Sequence, residues 1–291
     1  MKFGIMFAST ARYATGEGAI ALATAADECG IESIWSVEHV VIPHGYQSRY
    51  PYHESGRIPG GEDPDIPDPL LWLAFAAAVT KRVKLATGIL IVPERNPLVL
   101  AKECATLAKL SNNRFELGIG VGWLKEEFDA LGVPWPNRGN RTDEYCAAMQ
   151  ALWSQEHAEY HGKYVDFSNA ISRPQPSTGT VPIVVGGHSD AAARRAGRYG
   201  TGFFPASGTD EELQHLFEVV RTSAIEAGRD PAAIENTTMV WSPRRESLDR
   251  VKELADLGVH RLVVAPPTSN PDKIRQAIEE LAEKIAPVAT T

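Results

Sequence analysis

Two residues with acid–base chemistry, Glu38 and His39, directly follow an apolar segment at Ser33 to Val37. Histidine changes charge near neutral pH. In enzymes built on a parallel α/β barrel, the catalytic side chains lie at the carboxyl ends of the strands. Alternation along a strand puts the two side chains on opposite faces, so at most one points directly into the mouth of a barrel. His39 is therefore a candidate catalytic residue, with a purely structural role as the alternative.

A second candidate site lies in the segment PIVVGGHSDAAARRAG, where an apolar strand ends in two glycines. Ser189 or Asp190 can cap the helix that begins there, and its free N–H groups and positive end favour an anion. Arg194 and Arg195 add positive charge one turn later, although such arginines are more often solvated. Because the P-loop lysine motif is absent, we expect the phosphate of a cofactor or a sugar, and no nucleotide hydrolysis.

Glycines occur near the ends of two further apolar segments, Val83 to Leu90 and Phe115 to Gly120. Gly88 lies in the first segment, and GIGVG ends the second. Bare backbone at these positions could support a flat ring system, whereas the alternative is that glycine only permits a bulge or a tight turn. The GIGVG run also lacks the later third glycine of the dinucleotide fingerprint.

The sequence gives little indication of a metal site or of disulfide bonds. No two histidines have the spacing typical of metal ligands, so we expect no metal site. The three cysteines, Cys29, Cys104 and Cys146, are widely separated and each falls in a predicted helix. An odd number of such residues indicates reduced, structural cysteines in a cytosolic protein.

Eight strand candidates alternate with helical segments along the chain. They are Lys2 to Phe7, Ser33 to Val37, Val83 to Leu90, Phe115 to Gly120, Pro182 to Gly186, Thr201 to Phe204, Thr237 to Trp241 and Arg261 to Ala265. This alternation predicts an α/β fold, a single (β/α)8 TIM barrel formed by one domain over residues 1–291. An open doubly wound sheet is the alternative architecture.

Two insertions interrupt the alternation, one after strand 2 and one before strand 5. The first, Ile42 to Pro69, is long enough to indicate a functional loop. We expect Tyr46, Tyr50, Tyr52 and Trp72 to form an apolar or aromatic wall of a substrate pocket. The second, His157 to Pro176, alternates aromatic and polar residues about Gly162 and predicts a β-hairpin, either surface decoration or part of the site.

The 291 residues carry a formal charge of −8, with a sequence pI of about 5.5. Acidic and basic residues are interleaved, so neither nucleic acid nor an anionic membrane is an expected partner. The apolar part of MKFGIMFAS is too short for a signal peptide, and no apolar run approaches the roughly 18 residues of a membrane span. We therefore expect a cytoplasmic enzyme that acts on a small organic molecule.

Taken together, these segments resemble the luciferase-like monooxygenase superfamily, the relatives of bacterial luciferase, and within it the branch that uses coenzyme F420. The resemblance lies in the order and spacing of SIWSVEHVVIP, KLATGILIVPERNP, LAKECATLAKLS, NRFELGIGVGW, EEFDALGVPW, RGNRTDEYCAAMQALW, PIVVGGHS and AGRYGTGFFP. It implies a (β/α)8 barrel whose flavin or deazaflavin ring lies at the carboxyl ends of the strands.

The resemblance also implies roles for individual residues. His39 would contact the cofactor ring, and Gly88 and Ile89 would form a bulge behind it, often with a cis peptide bond between them. The segment from Gly187 to Ser189 would bind the cofactor phosphate. The cofactor-binding residues expected in this way are Glu38, His39, Gly88, Ile89, Val121, Gly122, Gly187, His188 and Ser189.

The activity implied is hydride transfer between coenzyme F420 and an unidentified organic substrate. The alternative is an FMN-dependent monooxygenase that uses reduced flavin from a separate reductase and oxygen, and a third hypothesis is a non-catalytic cofactor-binding barrel. F420 differs from FMN mainly in a long lactyl-glutamate tail, so a cationic groove would favour F420. Its candidate residues are Arg12, Arg57, Arg194 and Arg195.

One position departs from the family pattern. Trp123 stands where the sugar-phosphate dehydrogenases of this branch carry a glutamate thought to act as an acid. The resemblance therefore does not extend to that activity, and it identifies no proton donor. Members of the family are commonly dimers or larger, so a homodimer is one expected assembly.

Overall fold

The computed structural model describes residues 1–240 and 247–290, and its centre is a closed parallel barrel. The strands are β1 (Lys2–Ile5), β2 (Ser33–Ser36), β3 (Lys84–Thr87), β4 (Leu90–Ile91), β5 (Phe115–Gly120), β6 (Ala158–His161), β7 (Asp166–Ala170), β8 (Ile183–Gly186), β9 (Gly202–Phe204), β10 (Glu235–Val240) and β11 (Arg261–Val264). Around the barrel the order is β1, β2, β3, β5, β8, β9, β10, β11, and β11 pairs with β1. The predicted (β/α)8 barrel is confirmed and the open sheet is wrong.

Helices cover the outside of this barrel. They are α1 (Gly16–Glu28), α2 (Pro69–Val79), α3 (Pro97–Leu110), α4 (Lys125–Ala130), α5 (Arg138–Ser154), α6 (Asp190–Tyr199), α7 (Asp210–Glu226), α8 (Leu248–Asp256) and α9 (Ile274–Ile285). All eight predicted strands form, with ends that differ by a few residues. Trp241, the last residue of the seventh predicted strand, lies outside the described residues.

Helix α3 illustrates why the predicted elements form where they do. The side chain of Asn96 accepts hydrogen bonds from the N–H groups of Leu98 and Val99, and Pro97 occupies the first helical position. Proline costs nothing there because its missing N–H would have had no partner within the helix. A buried stripe that includes Leu100 and Cys104 packs this helix against the barrel.

The third barrel strand is interrupted by a bulge. Strand β3 ends at Thr87, β4 begins at Leu90, and the Gly88–Ile89 peptide bond between them is cis, as the resemblance implied. A Cβ atom on Gly118 would lie 1.8 Å from the carbonyl oxygen of Thr87, and one on Gly120 would lie 1.7 Å from Cδ1 of Ile89. The glycines of β5 therefore make room for the bulge, and they are not an open platform for a ring.

The insertion before the fifth barrel strand is the predicted hairpin. Strands β6 and β7 pair antiparallel, and the N–H of Gly162 donates to the carbonyl of Val165 over 2.9 Å. The three cysteines are free thiols in the described part of the chain. Burial raises the pKa of the Cys146 thiol to about 12 and also raises that of Cys104, so neither is a reactive thiolate at neutral pH.

Charged side chains gather where the barrel strands begin. The guanidinium of Arg261 is 1% exposed and donates to both carboxylate oxygens of Glu32, over 2.8 and 2.7 Å. Glu116 lies 3.2 Å and Glu235 lies 3.4 Å from the same guanidinium, while Lys84 pairs with Glu116 over 2.7 Å. Burial opposes the charge of Arg261, but these carboxylates outweigh it and raise its pKa. This network ties β1, β2, β3, β5, β10 and β11 together at the amino-terminal end.

Candidate cofactor site

The predicted site residues lie at the carboxyl ends of four neighbouring barrel positions: β2, the β3–β4 bulge, β5 and β8. Glu38 and His39 follow β2 after one intervening residue, Val37, and the bulge is formed by Gly88 and Ile89. The residues after β5 are Val121 and Gly122, and those after β8 are Gly187, His188 and Ser189. The barrel therefore brings all nine predicted residues to one arc of its mouth, and their contacts define what each can do.

His39 is held in one orientation by Glu127. Its Nδ1 lies 2.7 Å from Oε2 of Glu127, whose carboxylate is fully buried, and the imidazole is 11% exposed. The other carboxylate oxygen accepts the N–H groups of Val40 and Val41 over 2.6 and 3.2 Å. Because a carboxylate only accepts, Nδ1 is the donor, and no hydrogen bond from the described residues engages Nε2. The imidazole can therefore present Nε2 to a ligand.

Trp123 packs against the other side of His39. The two ring centroids are 5.7 Å apart and the planes are nearly perpendicular. Tyr46 and Tyr50, both from the first insertion, contact the same indole edge-on, with centroid separations of 5.5 and 5.2 Å. The insertion thus folds back over the mouth of the barrel and meets β5 there.

The ring contacts continue to the opposite side of the mouth. Tyr50 contacts Tyr52 at 5.3 Å, and Tyr52 contacts His188 at 5.0 Å. We call the set His39, Trp123, Tyr50, Tyr52 and His188 the aromatic row. It runs from the end of β2 to the end of β8, and burial raises the pKa of Tyr50 to about 12, so its phenol stays protonated at neutral pH.

One member of the predicted aromatic wall lies elsewhere. Trp72 is buried in α2, and its indole Nε1 donates to the carbonyl of Tyr13 over 2.8 Å. The prediction that Trp72 belongs to the pocket wall is wrong, because the insertion ends before Pro69 and the helix that follows carries Trp72 into the core.

Helix α4, which no sequence pattern predicted, anchors the first insertion. The carboxylate of Glu126 accepts the N–H groups of Gln47 and Ser48 over 2.6 and 3.1 Å, and the Ser48 hydroxyl over 2.6 Å. Burial alone would raise the pKa of Glu126, but these hydrogen bonds outweigh it and lower the pKa to about 2. Adjacent residues therefore fix two successive segments: Glu127 binds residues 39–41, just before the insertion, and Glu126 binds Gln47 and Ser48 within it.

Glu38 uses its carboxylate within the protein. Its side chain is 1% exposed, and Oε2 accepts the N–H of Ile91 over 2.5 Å while Oε1 binds the guanidinium of Arg95. Burial raises the pKa of Glu38 and Arg95 opposes that rise. The guanidinium also reaches Asp68, the N-cap of α2, over 2.8 Å. Glu38 thus fastens the segment just after the bulge.

Val121 and Gly122 form the turn between β5 and α4. Gly122 has a φ of 79°, and a Cβ atom there would lie 2.5 Å from the ring of Phe128. Only glycine fits both the left-handed backbone and the packing of α4 against it. Gly122 therefore sets the entry into the helix that carries Glu126 and Glu127.

The loop after β8 is arranged around the start of α6. The Ser189 hydroxyl accepts the N–H of Ala192 over 3.3 Å, which makes Ser189, and not Asp190, the N-cap. The N–H of Gly187 donates to the carbonyl of Phe204, and the N–H of Ser207 donates to Nε2 of His188 over 2.9 Å. The positive end of α6 and its first-turn N–H groups remain suited to an anion.

One of the four arginines that are candidates for a cationic groove is buried. Arg195 is buried against α5, where it binds Asp143 and the carbonyl of Gly139, so it cannot face a cofactor tail. Arg194 is exposed and pairs with Asp190 over 3.6 Å. Arg57 lies over the ring of Tyr46, and Arg12 belongs to a 3-10 turn before α1. Arg195 is therefore excluded as a groove residue, and the other three remain candidates.

Over 1–240 and 247–290, no group of three or more His, Cys, Asp or Glu side chains is placed to hold a metal ion. Within the same ranges, no helix combines the length and the apolar character needed to cross a bilayer.

A model of the family described as luciferase-like monooxygenase matches residues 1–285. The chain belongs to that family. It is 34% identical to the Mycobacterium tuberculosis protein Rv0940c over 91% of this chain and 93% of that protein. It is also 30% identical to an F420-dependent glucose-6-phosphate dehydrogenase of Amycolatopsis mediterranei, over 80% of this chain and 66% of that enzyme.

A solved structure shares the fold at lower identity. The oxygenating constituent of the Pseudomonas putida 3,6-diketocamphane monooxygenase, determined with FMN, superposes with a TM-score of 0.73, 19% identity and full coverage of both chains. The proteins similar to this chain therefore include an F420-dependent dehydrogenase by sequence and an FMN-bound monooxygenase by fold.

Three acidic residues near the site were not predicted as functional: Glu94, Glu126 and Glu127. The last two stand in the segment EEFDALGVPW, where an acidic pair beside an aromatic residue is unremarkable on a short helix. Their partners lie 78 to 88 positions away in the chain. No spacing rule connects residues so far apart, although the Glu-Glu pair was a visible signal.

Proposed function

We propose that this protein transfers a hydride between coenzyme F420 and an organic substrate. The observation that carries the proposal is the oriented His39–Glu127 pair beside the Gly88–Ile89 bulge, at the mouth of a barrel of this family. The 30% identity to an F420-dependent dehydrogenase supports the choice of cofactor. The nine predicted cofactor-binding residues form one arc, which suits a single elongated ligand.

The residues present fit such a group in their chemistry. The backbone N–H groups at the start of α6, with Gly187 and Ser189 before them, suit a phosphate. Ile89 is only partly buried, and its side chain covers Gly120 and Gly186, so a ring would rest on the bulge and not on bare β5. F420 supplies hydride chemistry when bound, and the protein's part is to hold and orient it.

His39 is the proposed catalytic residue, and Glu127 positions it. With Nδ1 donating to Glu127, Nε2 is the nitrogen that meets the cofactor or substrate. Glu38 acts as a positioning residue, because its carboxylate holds Ile91 next to the bulge. Tyr50, Tyr52 and Trp123 form an apolar wall that excludes water, which favours an aromatic or other apolar substrate over a sugar phosphate.

The alternative is an FMN-dependent monooxygenase that receives reduced flavin from a separate reductase. Two observations favour it: Arg195, a candidate residue for the groove that would hold the F420 tail, is buried against α5, and an FMN-bound structure shares the fold. It predicts oxygen uptake that depends on reduced FMN and on an apolar substrate. Both alternatives use the same ring position and the same phosphate loop.

Fluorescence titration of the purified chain with F420 and with FMN distinguishes the two. We expect saturable F420 binding at least about tenfold tighter than FMN binding, because a tenfold preference needs only about 1.4 kcal/mol of additional contact. Tight binding of FMN with no response to F420 would establish the alternative. Binding of neither cofactor would contradict both.

The His39→Ala variant tests the assignment of the site. We expect it to weaken cofactor binding or turnover about tenfold or more, with an unchanged circular dichroism spectrum. His53→Ala is the matched control, because His53 is exposed in the first insertion and its ring is hydrogen-bonded to Ser55. Equal titrations and rates for the two variants would remove His39 from the site.

A further inference from the structure

A cleft of about 550 Å³ opens beside the barrel mouth, outside the arc of predicted cofactor residues. It is bounded by the 3-10 turn Val92–Glu94, by the segment that joins α4 to α5, by the first turns of α5 and by the tip of the β6–β7 hairpin. None of the nine predicted cofactor residues lines it. Its volume is within the range of small-molecule sites.

A carboxyl group in this cleft has no protein partner. Both carboxyl oxygens of Glu94 are buried, and neither is hydrogen-bonded within residues 1–240 and 247–290. Burial, together with the nearby Glu127 and Glu38, raises the pKa of Glu94 to about 9, and Arg95 only partly offsets this. The group is therefore protonated at neutral pH and can donate one hydrogen bond and accept another.

A second buried group in the cleft is also only partly used. Arg141 is 5% exposed, and its Nη2 donates to the carbonyl of Pro134 over 2.6 Å, but its Nε has no partner in the described part of the chain. No carboxylate of the described residues pairs with Arg141 or with Lys163, an exposed residue of the hairpin tip that lines the cleft. The cleft therefore has positive charge without a counter-ion.

The remaining lining is mostly apolar and flat. Three prolines, at positions 93, 134 and 136, and Val133 form one part of it, and the rings of Tyr145 and Tyr164 form another. Tyr164 is fixed because its N–H donates to Glu144 over 2.8 Å. Such walls suit a planar apolar body next to the polar groups.

We propose that this cleft binds a small aromatic carboxylate, whose two oxygens accept hydrogen bonds from Nε of Arg141 and from the carboxyl group of Glu94. A carboxylate has one acceptor oxygen for each of the two unpartnered groups, and its charge is the counter-ion that the cleft lacks. An amine would need an ionised Glu94 and would lie close to the buried Arg141. The site is separate from the proposed hydride-transfer site and does not depend on which cofactor is used.

Calorimetric titration of the full chain with benzoate, benzylamine and benzamide, without cofactor, tests the proposal. We expect benzoate to bind with a Kd of about 1 mM, as is ordinary for a ligand of so few atoms, and benzylamine to bind at least about tenfold more weakly. Glu94→Met should weaken benzoate binding about tenfold, because the donor is lost. Tighter binding of benzylamine than of benzoate, or no binding of benzoate, would overturn the proposal.

The pH dependence of benzoate affinity shows whether the carboxyl group of Glu94 donates a hydrogen bond to the ligand. As the pH rises from about 6 to about 10, benzoate affinity should fall as Glu94 ionises beside the ligand. Glu94→Gln keeps a donor that does not titrate, so it should bind within about threefold of the wild type at neutral pH and lose less affinity at high pH. Glu127, Glu38, Arg95, Arg141, Lys163 and the two tyrosines face the same region in both proteins, so the difference between the profiles belongs to Glu94.

Two control variants locate the binding. Glu103→Gln makes the same change beside Arg95 but outside the cleft, and His39→Ala alters the proposed cofactor site. Both should bind benzoate as the wild type does. If His39→Ala abolishes benzoate binding and Glu94→Met does not, benzoate binds at the barrel mouth and the proposal is wrong. If Glu94→Met does not fold, the Glu94→Gln profile decides the question alone.

Discussion

At the amino-terminal end of the barrel, three carboxylates surround one buried guanidinium, and Lys2 and Lys84 add positive charge to the same network. At the mouth, three carboxyl groups lie near one another, but only that of Glu38 is paired with an arginine. Glu127 is satisfied by backbone N–H groups and by His39, and both oxygens of Glu94 lack a partner in the described residues. The glutamates at the amino-terminal end are thus paired with cations, whereas Glu94 at the mouth has no hydrogen-bond partner among the described residues.

This difference separates stability from function. Fully paired charges at the start of the strands fix the register of the barrel and leave no group free to react. Groups at the mouth that are held by a few specific contacts can change protonation or bind a ligand without loss of the fold. Substitutions at the amino-terminal end should therefore lower the free energy of unfolding, whereas substitutions at the mouth should change ligand binding or the pH dependence of stability.

The largest effect on stability is expected from Arg261→Met. Removal of the guanidinium leaves Glu32 and Glu116 buried without their main cation, which should cost about 3 to 5 kcal/mol of the free energy of unfolding. Urea denaturation measures this as a lower midpoint with an unchanged slope. Cofactor titration of the folded variant should match the wild type.

Arg221→Met is the control for that variant. Arg221 is 54% exposed on α7 and pairs with Glu218 one turn earlier. Solvent screens such an exposed pair, so its loss should leave the urea midpoint close to that of the wild type. Equal losses in the two variants would mean that the amino-terminal network is no more important than a surface ion pair, and the comparison between the two ends would fail.

The strands that form this scaffold were predictable because each is buried and short. Phe115–Gly120 forms as predicted, since this short segment, apolar apart from Glu116, follows the polar residues 112–114 that end the preceding helix. Helices α2 and α3 begin at prolines preceded by Asp68 and Asn96, which cap them as such residues commonly do. Local patterns therefore determined where most elements begin.

The contacts at the mouth were not predictable in the same way. Helix α4 has six residues, too few for a periodic pattern, and its acidic side chains bind backbone groups about 80 positions earlier. The glycines of β5 could have faced a cofactor or a neighbouring strand, and only the packed structure places Ile89 against Gly120. Likewise, the sequence does not reveal that the carboxyl oxygens of Glu94 have no hydrogen-bond partner in the part of the chain that the structure describes.

The second largest effect is expected from Glu94→Gln, and it should be stabilising. The pKa of Glu94 is raised from its ordinary value to about 9, so folding favours its protonated form. The folded state then binds more protons than the unfolded state between about pH 4.5 and about pH 9, and stability declines as the pH rises through that window. At pH 7, Glu94→Gln should gain about 1 to 3 kcal/mol, after allowance for solvent near the cleft.

The measurement is the difference between the unfolding free energies of variant and wild type across that window. It should be small near pH 5, grow with pH and level off above about pH 9. Glu226→Gln, at the exposed end of α7, controls for the loss of one negative charge. A constant difference over the whole range would mean that Glu94 is ionised in the folded protein, and its contrast with the paired carboxylates would disappear.

The smallest effect is expected from Glu126→Gln, and it has the opposite sign. Because hydrogen bonds from Ser48 and Gln47 lower the pKa of Glu126 to about 2, its stabilising contribution is present above about pH 4.5 and is lost as the pH falls to about 2. Solvent reduces that contribution to less than about 1 kcal/mol. The clearer readout is local: amide hydrogen exchange at Gln47 and Ser48 should accelerate in the variant, while exchange in β5 should not change.

Asp129→Asn, an exposed change on the same helix, should leave both rates as they are. If slow exchange at Gln47 and Ser48 persists without Glu126, then the aromatic contacts of Tyr46 and Tyr50 with Trp123 hold the insertion, and the mouth owes its order to packing instead of charge.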